Sequence, residues 1–403
     1  MDRLVFRGGR VFDGTGAAPS PAEVAVEDGR IVDVGPSLDG DEAIDVGGRT
    51  ILPGFFDCHV HVTVSHLDTL RQIDTPFSYQ FYEAARNLER TLAVGITSIR
   101  DAGGADLGIK QAREDGLIAG PRMQISLSMI SQTGGHGDDW TVSGIEVPLL
   151  LPHPGRPPTL VDGPDEMRRA VRTLIRMGAD VIKVATSGGV LSPRDDPRHA
   201  HFRPAELDVL VEEATAAGRF VMAHAQATDG IKNAIRAGIR SIEHGIYLDD
   251  EAIDLMLEHG TYLVATLVAP QGVLDAADAG IGFPAAFLEK ARSVAEIHRA
   301  SFRKAVAAGV RIAMGTDSGV APHGRNLREL ELMVAGGMSP AAALVATTKT
   351  ASGLLGVDGD RGTIEPGKRA DLVIVDGDPL DMTDLGARVR SVYQDGVLVS
   401  GAA

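Results

Sequence analysis

Two histidines one residue apart close the apolar run PGFFDCHVHV, residues 53 to 62. On an extended strand residues i and i+2 point to one side, so Asp57, His59 and His61 share a face while Cys58 and Val60 take the other. Two converging imidazoles can hold a metal ion, but a His pair alone is as readily part of an ordinary core, and a metal site needs further ligands. Later runs offer them. Lys183 sits inside DVIKVA, where a buried ammonium must snorkel, lose its proton, find a carboxylate or be put to use. MAHAQ carries His224, IEHGIY carries His244 and MGTDSG carries Asp317, each at the carboxyl end of an expected strand. Singly, either histidine reads as a hydrogen-bonded core residue and Asp317 as a helix cap. Six such residues at matching depth are hard to explain that way. Ala313 and Gly315 share the face of Asp317 and leave room for a metal and a substrate.

Eight apolar runs would position these groups: TILPGFFDCHVHV, GITSIRDAG, RMQISLSMIS, ADVIKVATSGG, RFVMAHAQ, SIEHGIYL, TYLVATLVA and RIAMGTDSG. Between them lie amphipathic stretches such as SYQFYEAARNLERTLAV and PAELDVLVEEATAAG, whose apolar residues recur at helical spacing. Alternating strands and helices over about 300 residues predict an α/β fold, a (β/α)8 TIM-type barrel, whose active groups gather at the carboxyl ends of the strands. A doubly wound open sheet is the rival, weakened because no Gly-x-Gly-x-x-Gly follows the first strand. The first and last fifty residues are instead short alternating runs with Gly and Asp turns. They predict a small discontinuous β-sandwich made by both chain ends, residues 1–56 and 356–403, around a barrel of residues 57–355. Long connections at 131–163 and 186–203 leave the third and fourth strands and read as lids or binding loops.

The 403 residues suffice for a large core, and a formal net charge of -16 argues against a nucleic-acid or anionic-membrane binder, both of which need a basic surface. Cys58 is the only cysteine, which rules out an intrachain disulfide and a Cys-rich zinc module. No signal-peptide pattern or long apolar stretch occurs, so a cytoplasmic protein is expected, with no membrane partner and assembled as a homo-oligomer.

In order, PGFFDCHVHV, VIKVATSGG, MAHAQ, SIEHG and GTDSG resemble the metal-dependent amidohydrolase superfamily, and EPGKRADLVIVDGDP extends the resemblance to the carboxyl end. TGGHGD, SGGVLSP and EHGIYL are similar to the imidazolonepropionase-related branch with Xaa-Pro dipeptidases, acyl-amino-acid carboxypeptidases and ochratoxin-hydrolysing amidohydrolases. The resemblance implies two divalent metal ions, zinc by default. His59, His61 and Asp317 would bind the more buried ion, His224 and His244 the more exposed one, and a carboxylated Lys183 would bridge them. Carboxylation turns a buried cation into an anion, which removes its desolvation problem. Asp317 would take a proton from the attacking water and return it to the leaving amine, while Asp57 would orient the ligands from behind. A mononuclear deaminase of the superfamily carries Glu three residues after the fifth-strand histidine; Ala227 stands there instead.

The resemblance also implies that His136, in TGGHGDD, contacts substrate or its oxyanion. Tyr247, three residues past His244, could offer its phenol to a substrate carboxylate or carbonyl. Arg194, Arg198, His199 and His201 in the fourth loop, and His323 and Arg325 after the eighth strand, are further candidates to hold a carboxylate. Trp140 is a possible lid aromatic, and His66, His153, His259 and His298 read as structural or surface residues. The expected function is hydrolysis of an amide in an N-acyl amino acid or a dipeptide such as Xaa-Pro. The rivals are a carbamate, aryl amide or lactone hydrolase with the same centre, and a metal-free relative that only assembles.

Overall fold

The middle of the chain is a (β/α)8 barrel in the computed structural model, which describes residues 3–192, 195–282 and 285–402. One parallel ladder runs from Met129–Ile130 through Val181–Ala185, Phe220–Ala225, Ser241–His244 and Tyr262–Val264 to Arg311–Ile312. A second runs from Phe55–Val60 through Ile96–Asp101 to Arg122–Ile125. Together they make one ring. The expected third strand RMQISLSMIS is written in two pieces, Arg122–Ile125 and Met129–Ile130, and Leu127 between them has a left-handed φ of 68°. The eighth strand is hydrogen-bonded as a strand only over Arg311–Ile312, but the residues after it close the ring onto the first strand. Cys58 N donates to Met314 O at 2.9 Å and His61 N to Ser318 O at 2.7 Å.

Buried on both faces, the barrel strands read as continuous apolar runs, as parallel sheets covered by helices must. The covering helices carry apolar stripes. In Pro164–Arg176 the stripe is Met167, Ala170, Val171 and Leu174, spaced three, one and three residues apart, and proline at the start presets the first turn. Asp249 caps Asp250–His259 by accepting from Ala252 N, and Gly260 ends that helix in a left-handed conformation.

The chain ends form two further sheets. Leu4–Arg7, Glu23–Glu27, Arg30–Gly35 and Glu42–Asp45 make one, and the other joins Arg10–Val11, Ser20–Pro21 and Thr50–Pro53 to Leu372–Val375, Val389–Gln394 and Val397–Gly401. A shared core with Val24, Ile31, Ile51, Leu372 and Ile374 includes Phe6, which meets Tyr393 edge-on at 4.8 Å. Thr50–Pro53 thus belongs to the sandwich, and the first barrel strand begins at Phe55. Gly54 makes the join, because a Cβ there would lie 2.2 Å from Thr97 Oγ1. No helix among the described residues is long and apolar enough to cross a membrane.

Candidate active site

Alternation along the barrel strands turns Lys183 and His224 inward, and register sets their depth: Ala185 lies beside His224, and His224 beside Glu243. A strict strand would send the adjacent Glu243 and His244 to opposite sides. His244 has a φ of 72°, and both side chains reach the interior. Asp317, at φ 59°, is turned in the same way, its N–H donating to His59 O at 2.7 Å. Such backbone costs about 1–2 kcal/mol per residue, a strain that concentrates where function over-determines geometry.

Each of four histidines has one ring nitrogen held by an acceptor. His59 Nδ1 donates to Glu243 Oε2 at 2.8 Å, and His61 Nδ1 to Gly103 O at 2.7 Å. His224 Nε2 donates to Gly188 O at 3.1 Å. His244 Nδ1 donates to Thr266 Oγ1 at 2.7 Å, whose own proton goes to Ala265 O. A carbonyl or carboxylate can only accept, so in a neutral ring the other nitrogen keeps its lone pair; that of His61 faces the Asp317 carboxylate, which against burial raises the ring's pKa. His59 Nε2 is 3.5 Å and His61 Nε2 3.2 Å from Asp317 Oδ1. The rings of His59 and His244 have centroids 5.1 Å apart, and those of His224 and His244 are 4.6 Å apart. His59, His244 and Asp317 offer ligand atoms within 4.8 Å of one another, a candidate metal site.

The electrostatics fit a cation. Burial holds His59, His224 and His244 well below the usual imidazole range, hence neutral, the form that ligates. Burial pushes Asp317 up, but His59 and His61 outweigh it and the carboxyl stays ionised. Lys183, 2 % exposed, is lowered to about 8 by burial against the pull of Glu243 and Asp317, and no carboxylate lies within ion-pair distance of it among the described residues. All six residues line one cavity of about 640 Å³, together with His136. His136 stacks on His224 with centroids 4.0 Å apart, and its Nδ1 meets Ser192 Oγ at 2.8 Å and Asp195 Oδ2 at 3.3 Å. Only glycine fits at 189, where a Cβ would lie 2.3 Å from the His136 ring.

Several expectations need correction. Asp57 touches none of the ligand rings. Its carboxylate accepts from the backbone N–H of His59 and Thr316, from Thr316 Oγ1 and from Asn326 Nδ2, pinning the first strand to the eighth. The orienting carboxylate is Glu243, itself held by Arg100 Nη2 at 2.8 Å. Tyr247 does not line the cavity; it packs beside a cluster that includes Val190 and Ile246. Arg198 is exposed and paired with Asp196, His199 and Arg325 are exposed, and His201 and His323 are buried away from the cavity wall. Arg194 lies outside the described residues. Trp140 is exposed and off the wall. His298 does more than fill space: it lines the cavity and donates from Nε2 to His244 O at 2.9 Å, bracing the strained residue. Glu243, Arg100 and Thr266 were missed. The signal available for the first two was a charged residue inside each of two short expected strands, ITSIRD and SIEH.

Comparison with known proteins supplies relatives of this chain. A model of the amidohydrolase family matches residues 50–402. Ochratoxinase of Aspergillus niger is 38% identical over 344 residues, covering 82% of this chain and 71% of the ochratoxinase. A Xaa-Pro dipeptidase crystallised with methionine bound in its active site superposes with a TM-score of 0.90 at 34% identity, over 99% of this chain and 100% of that one. A prolidase complexed with N-methylphosphonate-L-proline gives 0.89 at 36% identity, over 99% and 100% of the two chains.

Proposed function

Because the chain belongs to the amidohydrolase family, whose relatives here act on amide C–N bonds, we propose that it is a binuclear metal-dependent hydrolase cleaving the amide bond of an N-acyl amino acid or of a dipeptide such as Xaa-Pro. The observation that carries the reading is the set of four histidines, each with one nitrogen fixed by an acceptor and its ring turned into one cavity beside Asp317. That is the arrangement of metal-ligating imidazoles braced from behind. In this reading His59, His61 and Asp317 would hold one ion and His224 and His244 the other, with Lys183, as its carbamate, available to both. His59, His244 and Asp317, whose ligand atoms lie within 4.8 Å of one another, would lie at the heart of such a centre. Zinc suits imidazole and carboxylate donors. When bound, two such ions supply Lewis acidity that polarises the substrate carbonyl and acidifies water.

The chain's own residues do the rest. Asp317, kept ionised by His59 and His61, accepts the proton of the attacking water and returns it to the departing amine nitrogen. His136, stacked on His224 and held through Nδ1 by Ser192 and Asp195, would contact the substrate from the cavity wall. The methionine and the L-proline phosphonate bound to the two relatives are amino-acid derivatives, which supports a substrate bearing a free carboxylate.

The test is a library of dipeptides and N-acyl amino acids offered to the metal-loaded chain, with a chelated sample alongside. We expect hydrolysis that chelation abolishes. Turnover confined to carbamates, aryl amides or lactones would replace the substrate class, and hydrolysis indifferent to chelation would overturn the metal reading.

A further inference from the structure

Arg156, in the long third loop, is 5 % exposed and forms part of the cavity wall. Its Nη2 donates to Gly104 O at 2.6 Å and its Nη1 to Leu151 O, but its buried Nε has no partner. No carboxylate lies within ion-pair distance of it among the described residues; Asp101 and Asp106 act on it only from farther away. Arg100, the other buried arginine of the barrel interior, has Glu243. A guanidinium sunk in a cavity wall without a counterion is costly unless an anion arrives, and its fork suits a carboxylate. Its location is specific. Gly103 O receives the His61 ring and the next carbonyl, Gly104 O, receives Arg156, so adjacent peptide units, ~3.8 Å apart, hold a candidate metal ligand and the free cation. In an acyl amino acid the carboxylate stands two bonds beyond the scissile nitrogen.

We propose that Arg156 is the subsite for the substrate's α-carboxylate, adjoining the metal centre and selecting free acids over amides or esters. This rests on the amide-hydrolase reading above and names the residue that sets its substrate class. Among the described residues, the fourth-loop groups that sequence suggested for this role, Arg198, His199 and His201, do not line the cavity.

The experiment compares N-acetyl-L-methionine with its primary amide, using metal-loaded wild type, Arg156→Gln and Arg156→Lys. A buried donor left unpaired by the amide predicts a wild-type preference for the acid of about a hundredfold in kcat/KM. Arg156→Gln should lose roughly that factor on the acid and keep the amide's value within about threefold, with Arg156→Lys intermediate because charge survives without the fork. Equal losses on both substrates, or an undiminished acid preference in Arg156→Gln, would overturn the proposal. Calorimetry with L-methionine and L-methioninamide on the same proteins separates it from the parent reading. If no acyl amino acid is turned over, a binding gap that Arg156→Gln closes still supports the subsite. A gap that is absent from wild type, or that persists in the variant, removes it.

Discussion

Among single residues, Lys183 matters most to a two-ion centre. An ammonium 2 % exposed with no carboxylate at ion-pair distance among the described residues is a poor structural element, and burial, against the pull of Glu243 and Asp317, lowers its pKa to about 8, toward the neutral amine that can take up carbon dioxide. Lys183→Ala should therefore lose most bound metal and nearly all turnover, with partial recovery when acetate or formate is added to stand in for the carbamate. Elemental analysis and rates on the same sample check this, and full metal content with a normal rate would refute it. Lys183 and the five other polar residues were legible because each breaks an apolar run at the same depth. Glu243 and Thr266 were not, for a physical reason. Reading faces from sequence assumes strict alternation, and the left-handed backbone of His244 and of Thr266, with φ of 72° and 53°, suspends it where the site is built.

At the element scale, the strand ends need bracing, and two histidines of ordinary appearance in the sequence provide it. His323 lies within hydrogen-bonding distance of His61 O and Val64 O, each 3.2 Å from its Nε2, and His298 donates to His244 O. Burial lowers both to about 4, against the pull of those carbonyls. The folded state therefore keeps them neutral while the unfolded chain takes up protons near pH 6.5. Their contribution is complete above that pH and is lost as pH falls from about 6.5 toward 4, below which no further loss arises from them. Melting temperature followed over this range should fall less steeply for His323→Gln than for the wild type, and an identical slope would show that His323 is not a source of it. The barrel strands themselves were readable from apolar runs, but their limits were not. Thr50–Pro53 and Phe55–Val60 form one continuous hydrophobic stretch, and only the close contact at Gly54 separates sandwich from barrel.

At the scale of the whole molecule, sandwich and barrel are tied by charge as well as by chain. Arg122, which opens the third barrel strand, pairs with Asp371 and Asp395 beside the carboxyl-terminal strands, and Asp371 is only 4 % exposed. Arg122→Ala strands that carboxylate and should cost about 2 kcal/mol of stability while leaving kcat/KM of the folded protein unchanged, as chemical denaturation and rates would record. That the two chain ends would meet was legible from their matching strand patterns. Which charges join them to the barrel was not, because pairing across more than 240 residues leaves no local signal. The central claim is a two-ion centre working on an amide. It is tested most directly by titrating zinc into chelator-stripped protein while measuring metal content and hydrolysis of an acyl amino acid together. We predict that activity reaches its plateau at two ions per chain and that the Lys183→Ala variant never reaches it. Full activity at one ion per chain, with no further gain, would contradict the account.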